Sequence, residues 1–286
     1  MPIDYLILIL TTRCNLKCSY CYNGDLAPQD MGLKTLVRGL ALAAAGEGPL
    51  RIQLTGGEPT LLPELIEAAA QEAAKLRRPY RLSLQTNATL LDRQLAKTLK
   101  KLNVEVGVSL DGPPALNEAM RGESKMAFRG FSALESEAWP FTATTVVAGP
   151  NAKELYQVPL VLAQYNAALG LGLDLLVQKG RGAEGPGSAQ GQGPAKGLDA
   201  ESLAAGLVKL KQTLAFINVR RKKPLILREE EFLRRARRRD DGQGFCAACR
   251  GSSLAVAPDG RVYPCGQSAF LDDFCLGTVF SEKLAP

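Results

Sequence analysis

The 286-residue sequence contains no histidine. That absence removes Ser-His-Asp and Cys-His catalysis, histidine-ligated zinc and haem, and imidazole acid–base chemistry. The sequence also lacks any apolar run near the ~20 residues that a membrane-spanning helix needs. Residues 5–10 are apolar, but too few for a signal-peptide core, and no basic segment precedes them. The expectation is a cytoplasmic protein with reduced thiols and no membrane partner. Neither sign of charge dominates: 35 Lys and Arg against 29 Asp and Glu leave +6. That suits an anionic substrate or an acidic peptide and is too weak to argue for nucleic acid. A hydrophobic share of 46% excludes global disorder and fits one large domain with at most a small appendage. Polar chemistry must come from Cys, Lys, Arg, Asp, Glu, Tyr or a bound cofactor.

What is present is cysteine, in two groups. Cys14, Cys18 and Cys21 lie near the start; Cys246, Cys249, Cys265 and Cys275 lie near the end, with none between. In a reducing compartment such groups read as metal ligands rather than disulfides. Three plus four suggests two centres, one with an open coordination position and one closed.

Between the groups, strand-like runs alternate with amphipathic stretches. Strands are predicted at 5–10, 50–55, 81–86, 104–109, 141–147 and 173–178. Helices are predicted at 33–45, 63–76, 92–101 (Asp92 as N-cap), 125–136, 152–169 and 200–217. Six β-then-α units argue for a parallel sheet, either a partial (β/α) barrel or a doubly wound sheet. In both, ligands belong at the C-terminal strand ends. The unusual polar motifs fall there: the first cysteines after strand one, Gly56-Gly57-Glu58-Pro59 after strand two, Gln85-Thr86-Asn87 after strand three, and Ser109-Leu110-Asp111-Gly112 after strand four.

The expected division is a core at 1–179, a Gly-rich linker at 180–198, a last helix with a basic helical connection at 199–243, and a cysteine-tethered module at 244–286. Glu230–Arg234 and Glu231–Arg235 have the spacing of helical i,i+4 pairs. Pro258-Asp259-Gly260 marks a hairpin turn in the module.

Cys14-x3-Cys18-x2-Cys21 puts three thiols on one loop, enough to hold three irons of a cubane and leave one open. A zinc site or buried free cysteines are the alternatives, although structural zinc normally takes four ligands. The run Cys14-Asn15-Leu16-Lys17-Cys18-Ser19-Tyr20-Cys21 resembles the CxxxCxΦC signature of radical S-adenosylmethionine (SAM) enzymes, with Tyr20 as Φ. The Gly-Gly-Glu-Pro segment after the second strand is similar to that family as well.

The resemblance implies an α/β partial (β/α)6 TIM-like barrel and a [4Fe-4S] cluster at Cys14, Cys18 and Cys21. SAM would bind the open iron. Tyr20 would lie near the adenine, and Gly56, Gly57, Glu58 and Pro59 near the methionine amino group. Glu58 would complement that ammonium or order the turn. Ser109 and Asp111 would approach the ribose or carboxylate. Asn87 would line the cofactor site, and Tyr22, Gln85 and Asp111 are the catalytic candidates. One electron would cleave SAM to methionine and a 5′-deoxyadenosyl radical, which abstracts a substrate hydrogen. A reductant such as flavodoxin or ferredoxin is implied.

Cys249-x10-Gly260-x4-Cys265 resembles the opening of a SPASM/twitch extension. With Cys246 and Cys275 it would hold one auxiliary [4Fe-4S] cluster; a zinc ribbon is the alternative. Overall the sequence looks most like the peptide-maturase and anaerobic sulfatase-maturase branch. The substrate would be a ribosomal peptide or protein; because the chain starts at strand one, either a separate recognition protein or direct capture by residues 180–197 is expected to bind it. The spacing Cys246-x2-Cys249-x15-Cys265 also resembles the molybdenum-cofactor GTP cyclase. A non-enzymatic electron carrier is the remaining class.

Overall fold

The computed structural model describes residues 3–183, 198–236 and 246–281. One ten-stranded sheet carries the fold. Its strands are β1 (Tyr5–Thr11), β2 (Leu50–Gly56), β3 (Tyr80–Thr86), β4 (Glu105–Ser109), β5 (Phe141–Val147), β6 (Ala168–Leu175), β7 (Ile226–Leu227), β8 (Ser253–Val256), β9 (Arg261–Tyr263) and β10 (Gly277–Thr278). Their order is β10-β9-β8-β1-β2-β3-β4-β5-β6-β7. Strands β1 to β7 run parallel, and β8 pairs parallel with the other edge of β1. Helices α1 (Leu33–Leu42), α2 (Pro63–Ala73), α3 (Arg93–Lys101), α4 (Pro114–Arg121), α5 (Ser124–Ser136), α6 (Gln157–Leu162), α7 (Ala200–Asn218) and α8 (Arg228–Ala236) complete it. The parallel α/β sheet is what the alternation implied, and the partial-barrel form is what the family resemblance implied.

Side-chain alternation separates a dry face from a wet one. On β2 to β4, Leu50, Ile52, Leu54, Leu82, Leu84, Val106 and Val108 are buried in the main core. Their neighbours Gln53, Thr55, Ser83, Gln85, Gly107 and Ser109 are half-buried and line a cavity of about 2290 Å³. β1 is buried on both faces: Leu6, Leu8 and Leu10 join the main core, while Ile7 and Ile9 pack with Ala255, Ala257 and Tyr263. The C-terminal hairpin therefore extends the barrel sheet. Its turn holds Gly260 at φ +88°, with Asp259 Oδ1 accepting the Arg261 N–H at 3.0 Å. Asp92 caps α3 as its position suggested, accepting from Leu95 N at 2.7 Å.

The structure departs from or adds to several expectations. The helix predicted at 152–169 is a 3₁₀ turn (Ala152–Glu154) followed by the short α6, and β6 begins at Ala168 rather than 173. The reason is backbone contact: a Cβ on Gly170 would sit 2.2 Å from the Ile226 carbonyl, so glycine there lets β7 pair with β6. Helix α4, opened by Pro114 at its first turn and ended at Gly122 (φ +82°), was not anticipated. On α8, Glu231 pairs with Arg234 and Glu230 reaches Lys211 of α7 at 3.2 Å; the side chain of Arg235, the expected partner of Glu231, lies outside the described residues. Gly180–Ala183 of the expected linker forms a 3₁₀ turn, and residues 184–197 lie outside the described residues. Among the described residues no helix is long and apolar enough to cross a membrane.

Candidate active site

The first three cysteines sit on the loop between β1 and α1, and all three line the cavity. The loop ends are tied by Thr12 N–H to Gln29 O at 2.9 Å, Met31 N–H to Leu10 O at 2.7 Å, and the Arg13–Asp30 ion pair at 2.6 Å. Buried Leu16 anchors its middle. Burial pushes the Cys14 thiol up and the Cys18 thiol up to about 11. Leu16 N–H reaches Cys14 Sγ at 3.4 Å, Asn87 Nδ2 approaches the same sulfur at 3.9 Å, and the Arg121 cation favours a Cys18 thiolate. Three thiols with N–H donors and one nearby cation suit an anionic iron–sulfur cluster.

Gly56 and Gly57 let β2 close onto this loop. A Cβ at Gly56 (φ +155°) would lie 2.4 Å from Thr11 O, and one at Gly57 only 2.1 Å from Arg13 O. Gly57 N–H and Glu58 N–H donate to those two carbonyls at 2.8 Å each. The Glu58 side chain is fully buried and points away from the cavity. It accepts from Thr60 N at 3.0 Å, Thr60 Oγ1 at 2.5 Å, Thr86 Oγ1 at 2.6 Å and Asn87 N at 2.7 Å. Burial raises its carboxyl despite those donors. Those hydrogen bonds order the turn, one of the two roles expected of Glu58; Pro59 is likewise buried, outside the cavity lining.

Asn87 does face the site. Its Nδ2 donates to Asn15 Oδ1 at 3.0 Å, and its Oδ1 is taken by Thr89. Gln85 and Ser109 meet inside the barrel at 3.4 Å, and Thr144 approaches Gln85 at 3.5 Å. Asp111 does not belong with them. Only 1% exposed and absent from the cavity wall, it accepts from the Tyr20 hydroxyl, from Arg121 Nε at 2.6 Å and Nη2 at 3.2 Å, and from Val146 N at 2.9 Å. Asp111 was expected near SAM or substrate; in this structure its carboxylate is engaged by the protein. Burial opposes the Arg121 charge, yet Asp111 and the neighbouring phenol and thiol raise it above its usual value. The Tyr20 ring remains against the cavity under the Arg121 guanidinium, 5.3 Å away.

Tyr22 lies between the two cysteine groups. Burial pushes its phenol up to about 12, with Cys21, Asp174 and Cys265 adding to the rise. Lys179 Nζ stands 5.8 Å from the ring centre. Cys246 and Cys265 line the same cavity as the first group. Cys246 and Cys249 approach at 3.3 Å, and the Cys249 N–H on Cys246 Sγ (3.4 Å) lowers that thiol. Cys275 packs beside Tyr263, its Sγ 3.5 Å from Gly277 O. Among the described residues no three His, Cys, Asp or Glu side chains converge as on one metal ion, so neither set is assigned a ligand geometry.

Sequence reasoning missed Arg121, Arg181 and Arg228. Each lies far in sequence from the group it serves; Arg228, for example, pairs with Asp174 at 2.7 Å in the cavity wall.

Residues 8–158 match the Radical SAM superfamily. The chain belongs to the radical SAM superfamily. Over 185 residues it is 31% identical to an uncharacterized protein of Methanocaldococcus jannaschii, covering 61% of this chain and 63% of that one. It is 33% identical over 176 residues to a GTP 3′,8-cyclase of Xanthomonas axonopodis pv. citri (56% and 51%). It is 33% identical over 135 residues to a cysteine-type anaerobic sulfatase-maturating enzyme of Clostridium perfringens (42% and 36%). The matches thus span less than two thirds of each curated relative. The solved structure of anSMEcpe with bound AdoMet shares the fold, with a TM-score of 0.79 at 24% identity over 97% of this chain and 78% of that one. Membership of the radical SAM family implies SAM and a [4Fe-4S] cluster as cofactors.

Proposed function

We propose that this radical SAM enzyme modifies a side chain of a ribosomally made peptide or protein. The cofactor would supply a 5′-deoxyadenosyl radical by reductive cleavage of SAM. Cys14, Cys18 and Cys21 would hold the cluster; Gly56, Gly57, Asn87, Ser109 and the Tyr20 backbone would position SAM. Gly57 and Gly56 would allow the close approach, while Glu58 and Asp111, through their hydrogen bonds to the protein, would hold the neighbouring segments in place. Gln85, Tyr22 and Thr144 would contact substrate deeper in the barrel. Cys246, Cys249, Cys265 and Cys275 would carry an auxiliary [4Fe-4S] cluster that takes up an electron. A flavodoxin- or ferredoxin-like reductant would supply the first electron.

The observation that carries this reading is one open cavity of about 2290 Å³ lined by Cys14, Cys18 and Cys21 and by Cys246 and Cys265 of the second group. It has room for SAM and an extended chain together, beyond the ~300–1,000 Å³ of a site for one small molecule. The fold-mate anSMEcpe, solved with AdoMet and the Kp18Cys peptide (23% identity, 98% of this chain), supports it. A second reading, a small-molecule enzyme acting on a nucleotide, is favoured by the spacing of Cys246, Cys249 and Cys265 and by the cyclase relative.

The deciding experiment is label transfer. Deuterated candidate peptides, including any encoded beside the gene, are incubated anaerobically with SAM and a reductant. Deuterium in 5′-deoxyadenosine from a peptide supports the proposal; transfer from GTP and from no peptide sinks it.

A further inference from the structure

The chain after β6 crosses over the cysteine loop. Gly180 has φ +57°, and a Cβ there would meet Cys21 O, Tyr22 O and Gly24 N at 2.6 Å each. The two backbones are in direct contact. Arg181 N–H donates to Cys21 O at 3.0 Å. Its side chain donates from Nε to Cys18 O at 2.9 Å, and from Nη1 to Gly24 O at 3.2 Å and Asp25 Oδ1 at 2.6 Å. One residue thus binds the carbonyls of two cluster cysteines and the Gly24–Asp25 segment just after them. Beside it, Lys179 Nζ donates to Ala269 O and, at 3.3 Å, to Gln267 O, just past Cys265. The strap Lys179–Arg181 therefore touches both cysteine groups.

We propose that Arg181 is a positioning residue for the cluster loop. Its fork holds the Cys18 and Gly24 carbonyls outward, and its amide holds that of Cys21. The intervening peptides are then fixed with the Cys18 and Cys21 thiols facing the cavity. A guanidinium suits this task because its N–H groups diverge in one rigid plane and each charged hydrogen bond is stronger than a neutral one. Lysine would keep the charge but reach one acceptor at a time. The inference rests on the family's cluster at Cys14, Cys18 and Cys21 and is independent of the peptide substrate.

The test uses the full chain, reconstituted with iron and sulfide without oxygen and then reduced. The readout is the EPR signal that changes on adding SAM, which marks this cluster, followed as an iron chelator removes it. Arg181→Ala should lose that signal about tenfold faster than wild type, the scale of one lost charged hydrogen bond. Arg181→Lys should fall between the two. Gly180→Ala, which pushes the turn off the loop while keeping Arg181, should behave as Arg181→Ala does. Should Arg181→Ala fail to fold, Arg181→Lys and Gly180→Ala decide alone, their melting temperatures being recorded beside the decay. Wild-type decay rates in those two variants overturn the proposal. A wild type without any SAM-responsive signal overturns the cluster reading beneath it, an outcome distinct from unchanged decay.

Discussion

The Tyr20 hydroxyl donates to the Asp111 carboxylate across ninety-one residues of sequence. That contact ties the cysteine loop to the end of β4, and Arg121 closes it from α4 at 2.6 Å. The arrangement explains how a loop can keep an aromatic ring against the cavity: the ring's polar end is anchored elsewhere. It also gives Arg121 its place beside Cys18. The loop, the strand end and the helix end are thus cross-linked at one carboxylate.

Asp111→Asn should be costly. It removes the charge that compensates a guanidinium whose side chain is only 9% exposed. Breaking one half of a buried pair costs about 3–5 kcal/mol. Urea unfolding should show that loss. A change below about 1 kcal/mol would mean that Arg121 finds another partner or water.

Glu58 gives a pH signature. Its folded carboxyl lies above the usual value because of burial. Its contribution to stability is therefore fully present below the unfolded carboxyl value and declines as pH rises through the raised folded one. Asp30, Glu137 and Asp199 are lowered and act in the opposite sense. Comparison with Glu58→Gln isolates the effect. The variant should be less stable by about 1–3 kcal/mol, because one of four donors then faces an amide NH₂. The gap should narrow as pH rises above the ordinary carboxylate range, measured by urea titration. A widening gap would show that the four donors outweigh burial.

The cysteine spacing and the strand-end motifs were legible because each is local: a handful of adjacent residues and one alternation of apolar runs. The role of Asp111 was not, because Tyr20, Arg121 and Val146, which donate to its carboxylate, stand 91, 10 and 35 residues away and on different elements. Glu58 was half legible. A carboxylate after two glycines can face a ligand or its own turn, and only the hydroxyls of Thr60 and Thr86 decide between them. The start of β6 was misplaced because Gly170 and Gly172 dilute the strand signal, and their purpose appears only when Ile226 and Arg228 are beside them. Arg181 was hidden for the same reason: a Gly-rich stretch reads as linker until its first turn is found on the cysteine loop.

Gly57→Ala should damage SAM binding more than folding. The new methyl would need to displace Arg13 O, 2.1 Å away, and Thr12 O, 2.8 Å away, both backbone atoms next to Cys14. A shift of that peptide alters the edge of the cavity where β2 closes on the loop. We expect SAM affinity of the reconstituted protein to fall by about tenfold or more, equivalent to about 1.4 kcal/mol, in anaerobic equilibrium dialysis. Unchanged affinity would place the methionine end of SAM away from Gly57.

The two cysteine groups should separate in iron content and in chemistry. Reconstituted wild type should bind about eight irons, four per cluster. Replacing Cys14, Cys18 and Cys21 by Ala should leave about four and abolish 5′-deoxyadenosine formation with dithionite. Replacing Cys246 and Cys249, whose sulfurs lie 3.3 Å apart, should also leave about four. In that variant SAM should still be cleaved, because Glu58, Asp111 and Arg181 hold the first site without these residues. Turnover of a peptide substrate should stop, since the radical product then has no acceptor for its electron within the cavity. Wild type with about four irons would remove the auxiliary cluster, and the C-terminal cysteines would need another account.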